Sequence, residues 1–286
     1  MTKKEKLSSA QILEKVNNLK NKINKYHLDF IAQAKFDNVL HEMLEAASDI
    51  FLSADAKRIR AIIPVLIAEN GICDYDNVMR YGVLIELLHF CSLVHDDVID
   101  DARERRHKPT LNALFTNSNA VLMGDHFICE SIEYALQTQH NIIVIGVSIR
   151  AVKDLITGVI LEQKLASRKI SFDEWHHMAD LKTGCLFGLS FGLPFAGTEK
   201  LEAGRKLGVD FGTLFQIYDD YFDRDEDIGS MNIYNILPEK EIDEICNKAY
   251  LSVKNNCENL GISNVLTFIV RYLQEYGYFF NIKTLQ

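Results

Sequence analysis

Asp96, Asp97 and Asp100 close an apolar segment at residues 84–94, and the same arrangement returns as Asp219, Asp220 and Asp223 after residues 214–218. In a helix, the four-residue spacing sets Asp96 with Asp100, and Asp219 with Asp223, on one face a turn apart. Helix C-termini already carry partial negative charge and like charges at this spacing repel, so something cationic is required there. A single such run also fits a solvated helix end. Its repetition favours two carboxylate clusters converging on a hard-oxygen site, the kind that holds Mg2+ through a few carboxylates, waters and phosphate oxygens. Arg103, Arg105, Arg106 and Lys108 follow the first cluster directly. Acids to hold a metal and arginines to hold phosphate oxygens describe a diphosphate site.

The segment ahead of Asp96 is apolar nearly all round, through Leu84, Ile85, Leu87, Leu88, Phe90, Cys91, Leu93 and Val94, which predicts a buried helix. Helical periodicity also marks residues 10–31 and 36–51. Lys57, Arg58 and Arg60 head the apolar stretch at 62–68, where a helix N-terminus and basic side chains together favour an anion. Pro64 suits that helix only in its first turn. Residues 117–138 and 142–166 read as two more buried helices. Ser171 with Glu174 three residues on forms a capping box, so a helix starts there and runs into the 180s. Gly184, Gly188 and Gly192 leave one of its faces bare, for close packing of a neighbour or else as room for a ligand chain, and Lys182 and Thr183 open that face. Residues 240–255 and 262–280 read as structural helices, whose aromatic tail covers a mouth or an interface.

With 286 residues, 48% of them hydrophobic, the chain can bury one large core, and a single domain spanning 1–286 is expected. Only 15 Gly and 4 Pro interrupt long stretches of 3.6-residue periodicity, which predicts an all-α protein. A net charge of −9 argues against nucleic acid as a partner, because that affinity comes from Lys and Arg neutralising phosphates. An anionic substrate must then be held locally, by metal and a few basic side chains. The cysteines are scattered singly, without CxxC pairing, so they suggest neither disulfides nor zinc and fit a reducing cytosol. The longest uncharged run, residues 183–198, is short and broken by Pro194, so no membrane span is expected.

Together these motifs resemble those of the trans-isoprenyl diphosphate synthases, or polyprenyl synthetases, from about Lys57 to Asp223. HDDVIDDARERRHKPT matches that family's first aspartate-rich motif at Asp96, Asp97 and Asp100, with its arginine pair at Arg105 and Arg106. FQIYDDYFD matches the second at Gln216, Asp219, Asp220 and Asp223. AKRIRA matches GKxxRP at Lys57 and Arg60, with Ala56 and Ala61 where glycine and proline are usual. His89 stands where the family has a histidine, Lys182 and Thr183 match its Lys-Thr pair, and AVLMGD at 120–125 resembles its AVLxGD segment.

The resemblance implies a single-domain helical bundle around a large central cavity, of the isoprenoid synthase type. It implies a prenyltransferase that condenses an allylic prenyl diphosphate with isopentenyl diphosphate into a longer trans-polyprenyl diphosphate, by ionisation, condensation and elimination. Several Mg2+ ions would act with the substrate diphosphate, held by Asp96, Asp100 and Asp219, with Asp97, Asp220 and Asp223 as further or outer-shell ligands. Arg105 and Lys182 would face the leaving diphosphate, and Lys57, Arg60, His89 and Arg106 the second one. Gln216 and Thr183 would turn oxygen atoms toward the cation. A cytoplasmic homodimer is expected.

After Asp223 the chain departs from that pattern, since residues 224–236 lead to Leu237 and Pro238 without a lysine. A phosphate contact is missing there, with Arg224 as the available substitute. Two other readings stand beside the favoured one. A terpene cyclase-like lyase would have no use for Lys57, Arg60, His89 and Arg106 together. A catalytically weak subunit of a heteromeric synthase is favoured by the lysine-free loop and disfavoured by two complete aspartate motifs. Helical spacing turns Ser92 and Cys91 toward the space below Asp96; family members that stop at shorter products often carry a bulky aromatic at this level, so the resemblance implies a product of about twenty carbons or more, with Leu87 and Leu88 a turn deeper as its floor.

Overall fold

The computed structural model describes residues 8–33, 38–53, 56–105, 107–224, 231–279 and 282. The described residues form α1 (Ser9–Gln33), α2 (Asn38–Phe51), α3 (Ile59–Ala68), α4 (Tyr75–Ile99), α5 (Leu111–Leu114), α6 (Asn117–Leu136) and α7 (Asn141–Leu165). They continue as α8 (Phe172–Ala179), α9 (Cys185–Gly192), α10 (Leu201–Asp223), α11 (Glu239–Leu260) and α12 (Ser263–Gln274). The only strands among them are β1 (Glu104–Arg105) and β2 (Lys108–Pro109), a short antiparallel ribbon that turns the chain after α4. The fold is all-α. One contiguous apolar cluster runs from Ile12 and Val16 of α1 through α3, α4, α9 and α10 to Leu273 and Phe279.

α4 begins under an Asp74 cap that accepts from the backbone N–H groups of Asp76 and Asn77, and it is buried along most of its length. It ends where its carboxylates accumulate, with Asp100 as the cap and Asp101 left-handed at φ 50°. Ser171 and Glu174 make both bonds of the capping box at the head of α8. The helix does not run on unbroken into the 180s. Residues Asp180–Gly184 form one π-helical turn before α9, which holds Lys182 and Thr183.

α6 and α7 are not buried all round. Val144, Val147 and Ala151 face the core, whereas Ile142, Ile149, Ile156 and Ile160 of α7 and Leu122 of α6 are exposed. The apolar residues of α7 cover more than one stripe, and only one stripe of a helix can meet the core. Pro64 lies beyond the first turn of α3, where it removes the backbone bond to the Arg60 carbonyl.

Gly184, Gly188 and Gly192 meet Val209 and Arg205 of α10, so the bare face serves close packing. α10 answers with a matching row, and a Cβ at Gly208 would lie 2.1 Å from the Phe187 carbonyl oxygen. Gly208→Ala therefore pushes α9 and α10 apart, at about 1–3 kcal/mol, and lowers the denaturation midpoint. Gly146 of α7 meets only the end of the Arg150 side chain, at 3.9 Å. Gly146→Ala is expected to raise the midpoint, by about 0.5–1 kcal/mol of helix propensity. Equal effects of the two changes on urea denaturation would contradict this account of the packing.

Candidate active site

Arg105, which pairs with Asp97, lines one cavity with Asp219, so the C-terminal parts of α4 and α10 border the same space; the π turn packs against α7 and α10, and Tyr278 reaches Asp219. Asp97 is buried, and its Oδ1 accepts from Arg105 Nε at 2.7 Å. Asp96 and Asp100 accept no side-chain hydrogen bond from the described residues, although Lys182 lies close enough to act on both through its charge. Burial raises Asp96 to about 6, against the pull of Lys182. Lys182 Nζ pairs with Glu162 Oε2 on α7. Burial works to lower the Lys182 pKa, but Glu162, Asp96 and Asp100 outweigh it and leave it raised. The backbone of Lys182 passes so near α7 that a Cβ at Gly158 would fall 2.6 Å from its nitrogen.

The second motif is held differently. Asp220 is buried and its carboxylate is fully engaged. Its Oδ1 accepts from Gln216 Nε2 at 2.8 Å, and its Oδ2 accepts from Trp175 Nε1 at 2.9 Å and from the Ile233 backbone N–H at 2.8 Å. Burial still raises it to about 7, against these donors. Thr183 Oγ1 donates to Gln216 Oε1 at 2.5 Å, so the two groups expected to face a cation bond to each other. Burial also raises Asp219, opposed first by a hydrogen bond from Tyr278. Asp223 is exposed. Among the described residues no three His, Cys, Asp or Glu side chains converge closely enough to hold a metal by themselves. The donor set suits a hard cation that takes one or two carboxylates from each motif and fills its remaining positions with water and phosphate oxygens.

A cavity of about 390 Å³ lies on one side of α4, lined by Lys57, Arg60, Glu86, His89, Arg105 and Asp219. Arg60 stacks over the Phe187 ring at 4.5 Å, and its buried Nε has no hydrogen-bond partner among the described residues. Burial lowers the pKa of both Arg60 and Lys57. A buried cation left with an unused donor is an expensive arrangement that an incoming anion would relieve. Arg105 lines this cavity and also acts, with Lys182, on Asp96 through its charge. Arg106 lies outside the described residues. The loop at 225–230, where the family pattern is broken, also lies outside them.

On the other side of α4 is an apolar chamber of about 380 Å³, walled by Leu88, Cys91, Ser92, Ile128, Val152 and Leu155, with Asp96 in its lining. A smaller chamber of about 150 Å³ adjoins it across Leu88, Ile128 and Val152. Leu88 thus stands where a floor was expected, whereas Leu87 lines neither chamber.

The polyprenyl synthetase family model matches residues 41–232. The chain belongs to that family. A nonaprenyl diphosphate synthase of Mycobacterium tuberculosis is 33% identical over 204 residues, 67% of this chain and 59% of the relative. This chain thus spans under two thirds of that relative's length. Component 2 of the Geobacillus stearothermophilus heptaprenyl diphosphate synthase is 44% identical over 82 residues, 29% of this chain and 26% of that one. Among solved structures, an isoprenoid synthase family member from Thermotoga neapolitana matches with a TM-score of 0.78 and 25% identity, over 90% of this chain and 99% of that one. No helix among the described residues is long and apolar enough to cross a membrane.

Several residues that shape this polyprenyl synthetase site carried no motif. Tyr278 meets Asp219, Glu162 meets Lys182, and Trp175 meets Asp220. Glu86 pairs with Arg58 in the cavity wall, at 2.7 Å with both side chains buried. For Trp175 a signal existed, since a large buried indole needs an acceptor for its N–H. Trp175→Phe keeps most of the ring and removes one donor to Asp220, which costs about 1–3 kcal/mol. The indole N–H favours the ionised carboxylate, so the loss should grow as pH rises through about 7 and shrink below it. Chemical denaturation of the two proteins across that range checks both the size and the sign.

Proposed function

We propose that this chain is a prenyl-elongating synthase that condenses an allylic prenyl diphosphate with isopentenyl diphosphate. The observation that carries the reading is the basic cavity across α4 from the apolar chamber, with the unused buried Nε of Arg60 inside it. A cyclising lyase needs one diphosphate site beside an apolar chamber; the gathering of Lys57, Arg60, His89 and Arg105 around a second cavity, beside Asp219 and the Arg58-paired Glu86, supports a second anion site. Asp96, Asp100 and Asp219 would hold Mg2+, with Asp97, Asp220 and Asp223 behind them. When bound, Mg2+ neutralises the leaving diphosphate as a Lewis acid and template. Lys182 adds fixed positive charge where that diphosphate departs. Lys57, Arg60, His89 and Arg106 would hold isopentenyl diphosphate, and Arg105, which lines the same cavity, would act with Lys182 on the leaving diphosphate. Gln216 and Thr183 place oxygen dipoles near the developing cation, and the departing diphosphate takes the final proton. We place all of this in one domain and expect a homodimer in the cytoplasm.

A second reading is a weak subunit of a heteromeric synthase. Its support is the likeness to a protein named component 2 and the lysine-free stretch at 224–236. Incubation of purified protein with Mg2+, radiolabelled isopentenyl diphosphate and one allylic primer at a time, followed by sizing of products, tests both readings. Labelled prenyl product without any added partner supports the first reading. Product only after addition of a second chain supports the other, and a cyclic hydrocarbon would sink both.

Asp96→Ala or Asp219→Ala is expected to cut turnover by orders of magnitude and leave the fold intact, since each removes a ligand and relieves carboxylate repulsion. Protons compete with metal at Asp96, so the half-saturating Mg2+ concentration of the wild type should climb as pH falls through about 6. Near-normal turnover in the presence of EDTA would defeat the metal assignment.

Cys91 lies in the wall of the chamber that also holds Asp96. Cys91→Phe should shorten the product at little cost in rate, because the ring fills the chamber below the diphosphate and leaves the basic cavity untouched. Sizing the products of a variant that turns over normally decides it; an unchanged length places the prenyl chain elsewhere.

A further inference from the structure

Tyr278 stands between the two halves of the site. Its hydroxyl accepts from Lys57 Nζ at 2.6 Å and donates to Asp219 Oδ1 at 2.5 Å. Lys57 comes from the segment before α3, and Asp219 from the last turn of α10. Under the reading above they serve different ligands, a diphosphate and a metal. An ammonium and a carboxylate this close in a desolvated space gain by pairing directly. That pairing would take the ammonium from the diphosphate and a carboxylate oxygen from the metal. A phenol prevents it, because one oxygen accepts from the ammonium and donates to the carboxylate, leaving both charges in place.

The backbone delivers this hydroxyl through a specific turn. After α12, the N–H groups of Tyr276, Gly277 and Tyr278 bond back to the carbonyls of Leu273, Gln274 and Leu273, and Gly277 at φ 83° reverses the chain. Phe279 then anchors the turn against Tyr218, with ring centroids 4.9 Å apart. The Tyr278 ring stacks on Phe215 at 4.9 Å and meets Phe222 at 5.0 Å, so its position does not depend on its hydroxyl. From the same segment, Tyr272 Oη donates to the Lys57 carbonyl at 3.1 Å. α12 and the turn that follows it therefore hold Lys57 at its backbone and its side chain respectively.

We propose that Tyr278 is a positioning residue that keeps Lys57 and Asp219 from pairing directly, and so keeps the isopentenyl diphosphate site and the metal site separate and both charged. The inference deepens the condensation reading and rests on it for the names of the two ligands. Its test is Tyr278→Phe, which retains the ring packing. The Michaelis constant for isopentenyl diphosphate and the half-saturating Mg2+ concentration should both rise, by about 10-fold or more, while turnover at saturation changes little. Calorimetric binding of inorganic diphosphate with Mg2+ should weaken by a similar factor.

The calorimetric arm requires no turnover. Absence of prenyl product from the wild type would therefore count against the condensation reading while leaving Tyr278 decidable. Tyr276 provides the control, since its ring lies 5.7 Å from Lys57 Nζ and its hydroxyl meets Tyr272 rather than Asp219. Tyr276→Phe should leave the Mg2+ requirement unchanged. Unchanged constants and unchanged diphosphate binding in Tyr278→Phe, or an equal rise in the Mg2+ requirement for Tyr276→Phe, would overturn the proposal.

Discussion

Carboxylates crowded toward the C-terminal ends of two helices, Asp97 and Asp220 buried and Asp100 and Asp223 exposed, set the terms for the rest of this structure. Position works against them twice, through the negative end of each helix and through their neighbours, and burial adds a third cost. The fold meets that cost unevenly. Arg105 holds Asp97, Tyr278 holds Asp219, and Trp175, Gln216 and the Ile233 backbone hold Asp220. Asp96 receives the field of Lys182 and of Arg105, and Asp100 that of Lys182. Asp97 and Asp220 are thus tied into the helix ends, Asp219 keeps one oxygen outside its bond to Tyr278, and Asp96 and Asp100 accept no side-chain hydrogen bond from the described residues.

Holding the helix ends in register falls to backbones rather than side chains. Glycine rows on α9 and α10 let the two helices approach until main chain meets main chain, which sets Thr183 against Gln216 and Asp180 against Thr213. The π turn at Asp180–Gly184 then alters the angular step between neighbours. Through it Lys182 reaches Glu162 on α7 while Thr183, the next residue, reaches α10. Two adjacent residues can in this way serve two different helices.

What the sequence made legible was local in origin. Four-residue aspartate spacing, the Ser171 and Glu174 cap and the glycines of α9 each need only neighbouring residues to be interpreted, and the family motifs gave the order of the rest. What it hid depends on contacts across the chain. Tyr278 and Lys57 are 221 residues apart, and an aromatic tail offers no hint of which hydroxyl meets which charge. The π turn is a one-residue slip in hydrogen bonding that leaves hydropathy unchanged. The outward isoleucines of α7 could not be told from inward ones, because a helix apolar on several faces does not say which of them the core will use.

α4 shows how one such helix can be apolar all round and still be specific. Glu86, His89 and Leu93, spaced three and four apart, line the basic cavity. Leu88, Cys91, Ser92, His95, Asp96 and Ile99 follow a second stripe that lines the apolar chamber. The helix is therefore a wall between two cavities, and its lack of a single polar face follows from having no side turned wholly to water. Asp96 belongs to the chamber stripe, so a diphosphate held there by metal would send its apolar chain along Ser92 and Cys91 toward Leu88. His89 belongs to the other stripe, one turn from the buried Glu86 that pairs with Arg58. Asp96 and His89, seven residues apart, lie on nearly the same face, so the two cavities meet along that line of α4 while Leu88 and Glu86 carry their linings round to either side.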